Sequence, residues 1–521
     1  MKISLNWLKN FIKINKSPEE IESLLTNVGL EVDEVITLSS DKDLLKKLRV
    51  GQIKEIKKHP DADRLSITKV DLEDKISSII CGAKNIEVGQ KVVVAIPGTT
   101  IKTIDGNKIK IKKTKIRGID SDGMICAEDE IGVGKSHSGI IVLEKNAKVG
   151  DSVVNYLNPL DDTTFDISLT PNRADAASHL GVARDIKAIT GEKINLPDIS
   201  SFKNHENSKI DIQIDEKNAC PRYAGCIIEE VKVMESPSFI KDYLNAIGVN
   251  PINNVVDITN YVLHSLGQPL HAFDLDQIKK NKIIVKYAKK NEKFKTLDGE
   301  KRSLNDNDLM ICDGESSPMC IAGVFGGENS GVTNKTSKIF LESAYFNPSD
   351  IRTSSQNHQL KTDASYRFER GIDPNITIYA LKYAALLICE YSGGAVTSKV
   401  YDNYPEEIEN QNIEFNLKRI NQLAGHNFNK NEIIKILNSL DIEVKEKEGI
   451  LVANVPPYRV DVTREADILE EILRVYGYNN LKISKSNKSN FLSGERVSSR
   501  EDQILNNVFN TLLNSGFFEI T

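Results

Sequence analysis

The chain lacks the features that mark several large classes of protein. Its 521 residues include one tryptophan and seven cysteines, an odd number in which no pair has Cys-x-x-Cys spacing. The sequence therefore supports neither a disulfide framework nor a zinc site. No stretch approaches the roughly 18 uninterrupted apolar residues of a membrane-spanning helix, and polar residues interrupt the N-terminal segment MKISLNWLKNFIKI. We therefore expect a cytoplasmic protein.

A positive net charge is also absent. The formal net charge is -6 at pH 7, so any binding of a polyanion has to come from a local patch. The segment from Lys102 to Arg117 contains seven basic residues and one acidic residue, Asp105. The lysines of KIKIKK alternate with isoleucines, which predicts a half-buried strand; the lysines on its solvent face are Lys108, Lys110 and Lys112. An edge strand protected by lysine explains the same pattern.

Length predicts a multidomain protein, because a chain of 58.1 kDa is too long for one hydrophobic core. Separate strand-like and helix-like patterns along the chain make the expected fold class α+β. Polar, turn-rich stretches set the candidate boundaries. Short alternating runs after the first boundary predict a small all-β barrel or sandwich. The predicted units are 1–38 with 148–195, 39–147 (the barrel), 207–399, 410–480 and 485–521.

The two ends of the chain echo one another. Shifted by 412 positions, residues 5–32 match residues 417–444 in the spacing of their apolar and acidic residues, and the later parts of the two segments read SPEEIESLLTNVGLEVDEV and NKNEIIKILNSLDIEVKEK. Both segments predict two helices followed by a strand, a module that is winged-helix-like. Two unrelated amphipathic helices would share the 3.6-residue period, although not the spacing across three elements.

The segment RVGQIKEIKKHPDADRLSITKVDLED, followed by CGAKNIEVGQKVVVAIPG, resembles the tRNA-binding OB-fold domain of several synthetases and accessory proteins. A small barrel with a basic face suits this role, because cations contact backbone phosphates. The resemblance implies tRNA contacts by Lys54, Lys57, Lys58, His59 and Arg64, and it makes the lysine strand at 108–112 a candidate contact as well.

Further motifs follow in one order: FDISLTPNRADAASHLGVARDI, NNVVDITNYVLHSLGQPLHAFD, IAGVFGGENSGV, FLESAYFNPSDIR, KTDASYRFERGIDP and VPPYRVDVTREADILEEILRVYGY. Together with the tRNA-binding segment they resemble the bacterial phenylalanyl-tRNA synthetase β subunit family over essentially the whole chain. The resemblance implies an α2β2 partnership with an α subunit that binds ATP and charges tRNA(Phe). It also implies that the chain stops at Thr521, before the family's C-terminal domains.

The resemblance places an editing domain of the B3/B4 type at 207–399. A phenylalanine pocket excludes tyrosine by only about 100-fold, so a second site that binds the tyrosyl hydroxyl is needed to hydrolyse mischarged tRNA. The family's editing pocket corresponds to Thr259, Asn260, His271, Gly326, Glu342 and Ala364. Glu342 would accept the hydroxyl, Gly326 and Ala364 would leave room, and the other three would orient the ester or water.

The helix predicted in DVTREADILEEILRVYGY carries acidic side chains three and four residues apart. Arg474 lies within reach of Glu470 and Glu471, so a salt-bridged surface accounts for them as well as a metal does. The resemblance implies a B5-type domain at 410–480 with a magnesium ion shared with the α subunit; its ligands would be Asp461, Asp467, Glu470 and Glu471.

Two other functions remain open on the sequence. The chain could be a free-standing hydrolase of mischarged tRNA, which would deacylate tyrosyl-tRNA(Phe) unaided. It could also be a non-enzymatic tRNA-binding scaffold. This alternative would be favoured if Thr259, Asn260, His271 and Glu342 did not converge in space.

Overall fold

The structure is a computed structural model that describes residues 1–38, 42–102, 108–133, 139–144, 146–157, 162–447, 449–482 and 499–520. It mixes helices with several separate sheets, as the sequence predicts. Two compact units are present, Met1–Tyr478 and Asn479–Thr521. Within the described residues no helix is both long and apolar enough to cross a membrane.

The first part of the chain contains thirteen strands and five α-helices among its described residues. The strands are β1 (Lys2–Ser4), β2 (Glu31–Leu38), β3 (Arg49–His59), β4 (Ala62–Asp71), β5 (Ile76–Cys81), β6 (Lys91–Ala95), β7 (Thr100–Lys102), β8 (Lys108–Lys110), β9 (Thr114–Ile116), β10 (Ile119–Ser121), β11 (Met124–Ile125), β12 (Val142–Leu143) and β13 (Asp162–Ser168). The helices are α1 (Leu5–Leu8), α2 (Pro18–Asn27), α3 (Lys42–Lys47), α4 (Glu128–Ile131) and α5 (His179–Thr190).

An N-terminal module is formed by the antiparallel sheet β1-β13-β2 and by α1, α2 and α5. Helix α2 begins at a capping box, in which Ser17 and Glu20 each satisfy a backbone N–H of the other, and Pro18 occupies its first turn. Trp7, the single tryptophan, is fully buried in the module's core.

Between β2 and β13 lies the predicted barrel region. The order β11-β6-β3-β4-β5, with β12 also paired to β6, describes a six-stranded sheet. The backbone N–H of Asp122 donates to Ser78 O at 2.8 Å, so the sheet curls until its edges approach. Its hydrogen-bonded strand path does not close among the described residues.

The lysine strand differs from its prediction. Strand β8 ends at Lys110, and within the described residues its one partner strand is β7. Ile109, expected to face inward, is 47% exposed, whereas Ile111 beyond the strand is buried. The regular alternation therefore fails at this short hairpin, although Lys108, Lys110 and Lys112 are all exposed.

The next region contains β14 (Asp211–Ile214), β15 (Arg222–Glu229), β16 (Leu270–Asp274), β17 (Lys282–Tyr287), β18 (Lys293–Lys295), β19 (Lys301–Ser303), β20 (Leu309–Asp313), β21 (Pro318–Ile321), β22 (Phe325–Gly326), β23 (Lys338–Tyr345), β24 (Ala395–Val396) and β25 (Tyr401–Asn403). Its helices are α6 (Ser238–Ala246), α7 (Asn254–Leu266), α8 (Pro348–His358), α9 (Asp363–Phe368) and α10 (Thr377–Ser392).

Two sheets form the layers of this region, β16-β23-β15-β24 with β25, and β14-β17-β20-β21-β22. Because strand residues alternate between faces, Leu341 of β23 packs with the core that contains α7 and α10, whereas Phe340 packs with the second sheet. Glu342 therefore lies on the face that is turned toward the second sheet.

The last part of the first unit repeats the N-terminal module. It contains β26 (Gln411–Phe415), β27 (Glu443–Lys447), β28 (Ile450–Val455), α11 (Leu417–Ala424), α12 (Lys430–Ser439) and α13 (Glu465–Tyr476). The sheet order β26-β28-β27 has the same form as β1-β13-β2. Helix α12 begins 412 positions after α2, and β27 begins 412 positions after β2. Residues 39–161 are thus an insertion between the second and third strands of the first copy.

The second unit contains α14 (Arg500–Asn514), which Ser499 caps at its N-terminus.

Candidate active site and nucleic-acid interface

A cavity of about 290 Å³ opens beside the inner face of β23. Five of the six residues predicted for an editing pocket line it: Asn260, His271, Gly326, Glu342 and Ala364. Helices α7 and α9, strands β16, β22 and β23, and the loops beside them bring these residues together. The rest of the wall is largely apolar and includes Leu297, Val324, Phe346 and Phe368.

His271 and Glu342 face each other at the centre of the site. They are direct partners in the antiparallel pairing of β16 with β23, so their side chains emerge on the same face of the sheet. His271 Nε2 and Glu342 Oε2 are both buried, and neither has a hydrogen-bond partner among the described residues. A buried polar atom without a partner costs about 1–3 kcal/mol, so the two atoms mark a place that is suited to a polar ligand.

Burial sets the charge states of this pair. Loss of hydration raises the pKa of Glu342 to about 8, although the nearby Tyr223 hydroxyl opposes part of the shift. Burial also lowers the pKa of His271 to about 4. Both side chains are therefore mainly neutral at pH 7, and the carboxylic acid can donate one hydrogen bond as well as accept others.

Asn260 and Thr259 are neighbours on α7 but have different surroundings. The helix is capped by Asn253, whose side chain accepts from the N–H groups of Val255 and Val256. Asn260 lines the cavity, whereas the Thr259 hydroxyl donates to Val256 O at 2.7 Å within its own helix. Thr259 does not line the cavity, because consecutive helical residues point about 100° apart.

Gly326 provides space at the wall. A Cβ at this position would lie 3.2 Å from His271 Cε1 and 2.9 Å from Leu297 Cδ1. Leu297 lines the cavity and is 51% exposed. Sequence reasoning did not identify Leu297, because its position at the site depends on the loop after β18 and not on a local motif.

Five of the eight predicted tRNA contacts lie on strands β3 and β4 of the curled sheet. Lys54, Lys57, Lys58 and Arg64 are exposed on β3 and β4. His59 is 5% exposed, its Nδ1 accepts from the Asp61 N–H, and its Nε2 lies 3.4 Å from Ile116 O. The imidazole therefore holds the strand turn and does not present itself to solvent.

The lysine hairpin, formed by β7 and β8 and continued by Lys112, borders an open cleft of about 730 Å³. Its lining combines apolar groups such as Ile109 and Ile140 with the amines of Lys84, Lys110 and Lys112. Exposed cations beside an apolar floor suit a nucleic acid, since phosphates pair with the cations and bases cover the apolar surface.

The four predicted magnesium ligands do not converge. Asp467 caps its own helix, since its Oδ2 accepts from the N–H groups of Thr463 and Arg464. Glu470 is exposed, whereas Glu471 is buried and accepts from Arg459 and Arg474. Among the described residues no group of three or more His, Cys, Asp or Glu forms a metal site.

Glu471 instead belongs to a buried ion cluster that joins the two copies of the repeated module. Arg459 Nη1 and Arg474 Nη2 lie 2.6 Å and 2.5 Å from Glu471 Oε2. Arg474 also reaches Asp185 of α5 at 2.8 Å. Asp185 pairs in turn with Arg173 at 2.5 Å, and Arg173 pairs with Asp175. These arginines hold the pKa of Glu471 below its ordinary value despite burial.

A second echo in the sequence would have revealed this cluster. Shifted by 286 positions, PNRAD (171–175) matches PYRVD (457–461), and Asp185 matches Glu471. The Arg-x-Asp segment and the later acid thus occur once in each copy, and the structure brings both sets together. Asp467 is therefore explained by its hydrogen bonds to the N-terminus of α13, and Glu471 by its ion pairs in the cluster, so neither carboxylate needs a metal ion as a partner.

Comparisons with known proteins cover the whole chain. Three family models match: the putative tRNA binding domain at residues 48–152, the B3/4 domain at 219–393 and the tRNA synthetase B5 domain at 413–478. The chain is 46% identical to a phenylalanine–tRNA ligase beta subunit of Bacteroides fragilis, 45% to that of Bacteroides thetaiotaomicron and 43% to that of Porphyromonas gingivalis. Each match covers 100% of this chain and 64% of the relative, so the chain spans about two thirds of their length.

Among solved structures, an N-terminal fragment of the phenylalanyl-tRNA synthetase beta subunit from Pyrococcus horikoshii is 22% identical. The match covers 61% of this chain and 88% of that chain, with a TM-score of 0.32.

Proposed function

Because the chain is, along its entire length, a relative of phenylalanine–tRNA ligase beta subunits, we propose that it acts with an α subunit in the ATP-dependent charging of tRNA(Phe). The α subunit would bind ATP and perform aminoacylation, in the α2β2 assembly that the resemblance implies. This chain would bind tRNA and hydrolyse tyrosyl-tRNA(Phe). The observation that carries the hydrolytic role is the cavity in which Glu342 and His271 face each other with unpartnered polar atoms.

The pocket can distinguish tyrosine from phenylalanine by one hydroxyl. A phenolic oxygen that reaches Glu342 Oε2 would satisfy a buried atom for which the described residues provide no hydrogen-bond partner. Phenylalanine would leave that atom unsatisfied, and sites of this kind reject the analogue without the hydroxyl by roughly 10⁴-fold or more. The apolar wall formed by Val324, Phe346 and Phe368 surrounds the ring in either case.

The remaining residues serve the ester. Hydrolysis adds water to the ester carbonyl, breaks its bond to the terminal ribose and returns a proton to the ribose hydroxyl. Neutral His271, whose Nε2 has no hydrogen-bond partner in the described part of the chain, can orient that water or the carbonyl, and Asn260 adds an amide at the same wall. Gly326 and Ala364 leave space for the substrate. The Thr259 hydroxyl is bound within α7, so we give it only a supporting role in the helix.

The tRNA would bind to the curled sheet of 39–147, which we propose is an OB-fold. Its contacts would be the exposed cations of β3, β4 and the lysine hairpin: Lys54, Lys57, Lys58, Arg64, Lys108, Lys110 and Lys112. Buried His59 is not included. The repeated modules would be winged-helix-like and would support the two functional regions.

Magnesium does not fit the residues that the resemblance assigns to it in this arrangement. The Glu471 carboxylate already accepts hydrogen bonds from Arg459 and Arg474. The Asp467 carboxylate already accepts from the Thr463 N–H beside the start of α13. The buried Oδ1 of Asp461 lies 3.5 Å from Arg459 Nε and has no hydrogen bond within the residues that the structure describes. We therefore derive no step from a metal in this chain.

A deacylation assay tests the proposal. The chain is incubated with tyrosyl-tRNA(Phe) or phenylalanyl-tRNA(Phe), alone and with the α subunit. We expect faster release of tyrosine, a loss of this preference in Glu342→Ala and slower hydrolysis in His271→Ala. Glu390→Ala, an exposed carboxylate on α10 at the other side of the sheet, is the matched control and should behave as the wild type.

The outcomes also separate the alternatives. Full activity without the α subunit would indicate a free-standing hydrolase. Binding of tRNA with no deacylation in either condition would indicate a scaffold and would contradict the proposed hydrolysis. Release of phenylalanine as readily as tyrosine would overturn the role of Glu342.

A further inference from the structure

A third buried polar group lies beside Glu342 and has no assigned role. Tyr223 on β15 is 0% exposed, and its hydroxyl has no hydrogen-bond partner among the described residues. Strand β15 pairs with β23 so that Gly225 is opposite Glu342 and Tyr223 is opposite Ala344. Since residues two apart on a strand share a face, Tyr223 and Glu342 are diagonal neighbours on the same face of the sheet.

A glycine lies between Tyr223 and Glu342 on this face of the sheet. Gly225 offers no side chain there, and a Cβ at that position would lie 2.1 Å from the ring of Phe340. Tyr223 belongs to the same buried cluster as Phe340 and Ala344. Its ring is thus fixed by packing, while the polar groups near its hydroxyl are the Glu342 carboxyl and the thiols of Cys220 and Cys320; of these, the carboxyl is the strong hydrogen-bond acceptor.

We propose that Tyr223 is a positioning residue of the pocket: its hydroxyl donates to one oxygen of the Glu342 carboxyl group, and the other oxygen is thereby directed at the hydroxyl of a bound tyrosyl group. The inference rests on the proposed editing function. Tyr223 does not line the cavity itself, so it acts only through Glu342.

The hydrogen-bonding capacities of the groups are complementary. A neutral carboxylic acid has one O–H donor and a carbonyl acceptor, and a phenol has one donor with acceptor capacity. When the Tyr223 O–H donates to the carbonyl oxygen of Glu342, the carboxyl O–H is free to donate to the substrate's phenolic oxygen. Each buried group then has a partner in the tyrosyl complex, whereas phenylalanine leaves the carboxyl O–H unpaired.

The ionisable surroundings agree with this arrangement. The titratable groups around the Glu342 carboxyl are His271 on β16, Tyr223 on β15, Cys220 just before β15 and Cys320 on β21. Asp363 at the start of α9 lines the same cavity, but its side chain is 59% exposed and pairs with Arg367. Burial lowers the pKa of His271 and raises the pKa values of both thiols. Tyr223 is the group that lowers the pKa of Glu342 against the effect of burial.

Tyr223→Phe tests the proposal, because it removes one oxygen and keeps the ring. We expect kcat/KM for tyrosyl-tRNA(Phe) to fall about five- to tenfold, the value of one hydrogen bond, with phenylalanyl-tRNA(Phe) hydrolysis unchanged. In a Glu342→Gln background the same substitution should change the rate by less than about twofold. Tyr383→Phe, on α10 against the opposite face, is the matched control and should leave the ratio unchanged.

A second measurement does not depend on hydrolysis. The carboxyl stretch of Glu342 in the free protein, isolated by infrared difference against Glu342→Gln, should titrate at a higher pH in Tyr223→Phe, since a group that lowers its pKa is lost. If Tyr223→Phe does not fold, incorporation of 3-fluorotyrosine, a stronger donor, should move the midpoint of the wild-type band to lower pH.

An unchanged midpoint, or an equal loss of activity in both backgrounds, would overturn the role of Tyr223. A shifted midpoint in a protein that does not deacylate tyrosyl-tRNA(Phe) would support the Tyr223 contact and reject the proposed function, so the two failures are distinguishable.

Discussion

Replacing Glu471 with glutamine removes the one carboxylate that Arg459 and Arg474 share inside the first unit. Glu471 is 2% exposed and both arginines are also buried, so water cannot replace the lost charge. Breaking a buried ion pair by removing one partner costs roughly 3–5 kcal/mol. This is a large share of the total free energy of unfolding of a native protein, which is about 5–15 kcal/mol. We expect Glu471→Gln to lower the free energy of unfolding by an amount in the first range.

Urea unfolding measured by the fluorescence of Trp7 provides the assay, because this single tryptophan lies in the core of the module that the cluster joins to α13. Glu470→Gln is the matched control: the same chemical change at the adjacent exposed position should alter stability by less than about 0.5 kcal/mol. The loss in Glu471→Gln should shrink as the pH falls below 4.5. The folded pKa of Glu471 lies below that ordinary value, so its stabilisation is present above pH 4.5 and disappears as the carboxylate is protonated. Equal effects of the two substitutions at pH 7, or no measurable effect of Glu471→Gln, would refute the reasoning.

Three further changes have defined outcomes. In thermal unfolding, Glu342→Gln should stabilise the free protein at pH 8 by an amount on the order of a few kcal/mol and have little effect near pH 4. The folded pKa of Glu342 is about 8, above the ordinary value of 4.5. The wild type therefore loses stability as the pH rises above 4.5, whereas the glutamine variant does not. Gly326→Ala should reduce kcat/KM for tyrosyl-tRNA(Phe) about tenfold or more, since the added carbon lies 3.2 Å from the His271 ring and overpacking costs about 1–3 kcal/mol; unchanged kinetics would contradict the position of Gly326 at the wall. A triple variant replaces Lys108, Lys110 and Lys112 with alanine. It should weaken tRNA binding in a filter assay and lower the number of ions released on binding, read from the slope of log K against log[salt], by about two to three. An unchanged slope would show that these lysines do not contact tRNA.

Local patterns predicted much of the fold. The repeated apolar spacing predicted two helices 412 positions apart, and α2 and α12 begin with that separation. In the structure Ser17 and Asn429 cap the N-termini of these two helices. These features depend on neighbours within one turn, which the sequence shows directly. The alternation at 108–113 did not survive, because a three-residue hairpin strand has no sheet beneath it to bury Ile109.

The site was predictable only in part. The resemblance named residues that line one cavity, but the turn of Thr259 away from it follows from the phase of α7, which motif matching ignores. The unpaired oxygen of Tyr223 follows from a strand register that brings together positions more than 100 residues apart. The pairing of Glu471 with two arginines, one of which also binds Asp185, likewise depends on long-range packing and not on the acidic spacing along α13.

The insertion of residues 39–161 has a consequence for how the chain can change. Leu38 and Asp162, which flank it, are direct partners at the end of one antiparallel pair, and the second copy joins its corresponding strands at Lys447 and Ile450 without any intervening domain. A short turn could therefore replace the whole basic sheet while both anchoring strands keep their register. Gain or loss of residues 39–161 would then be a single genetic event that leaves the cavity beside Glu342 and His271 in place.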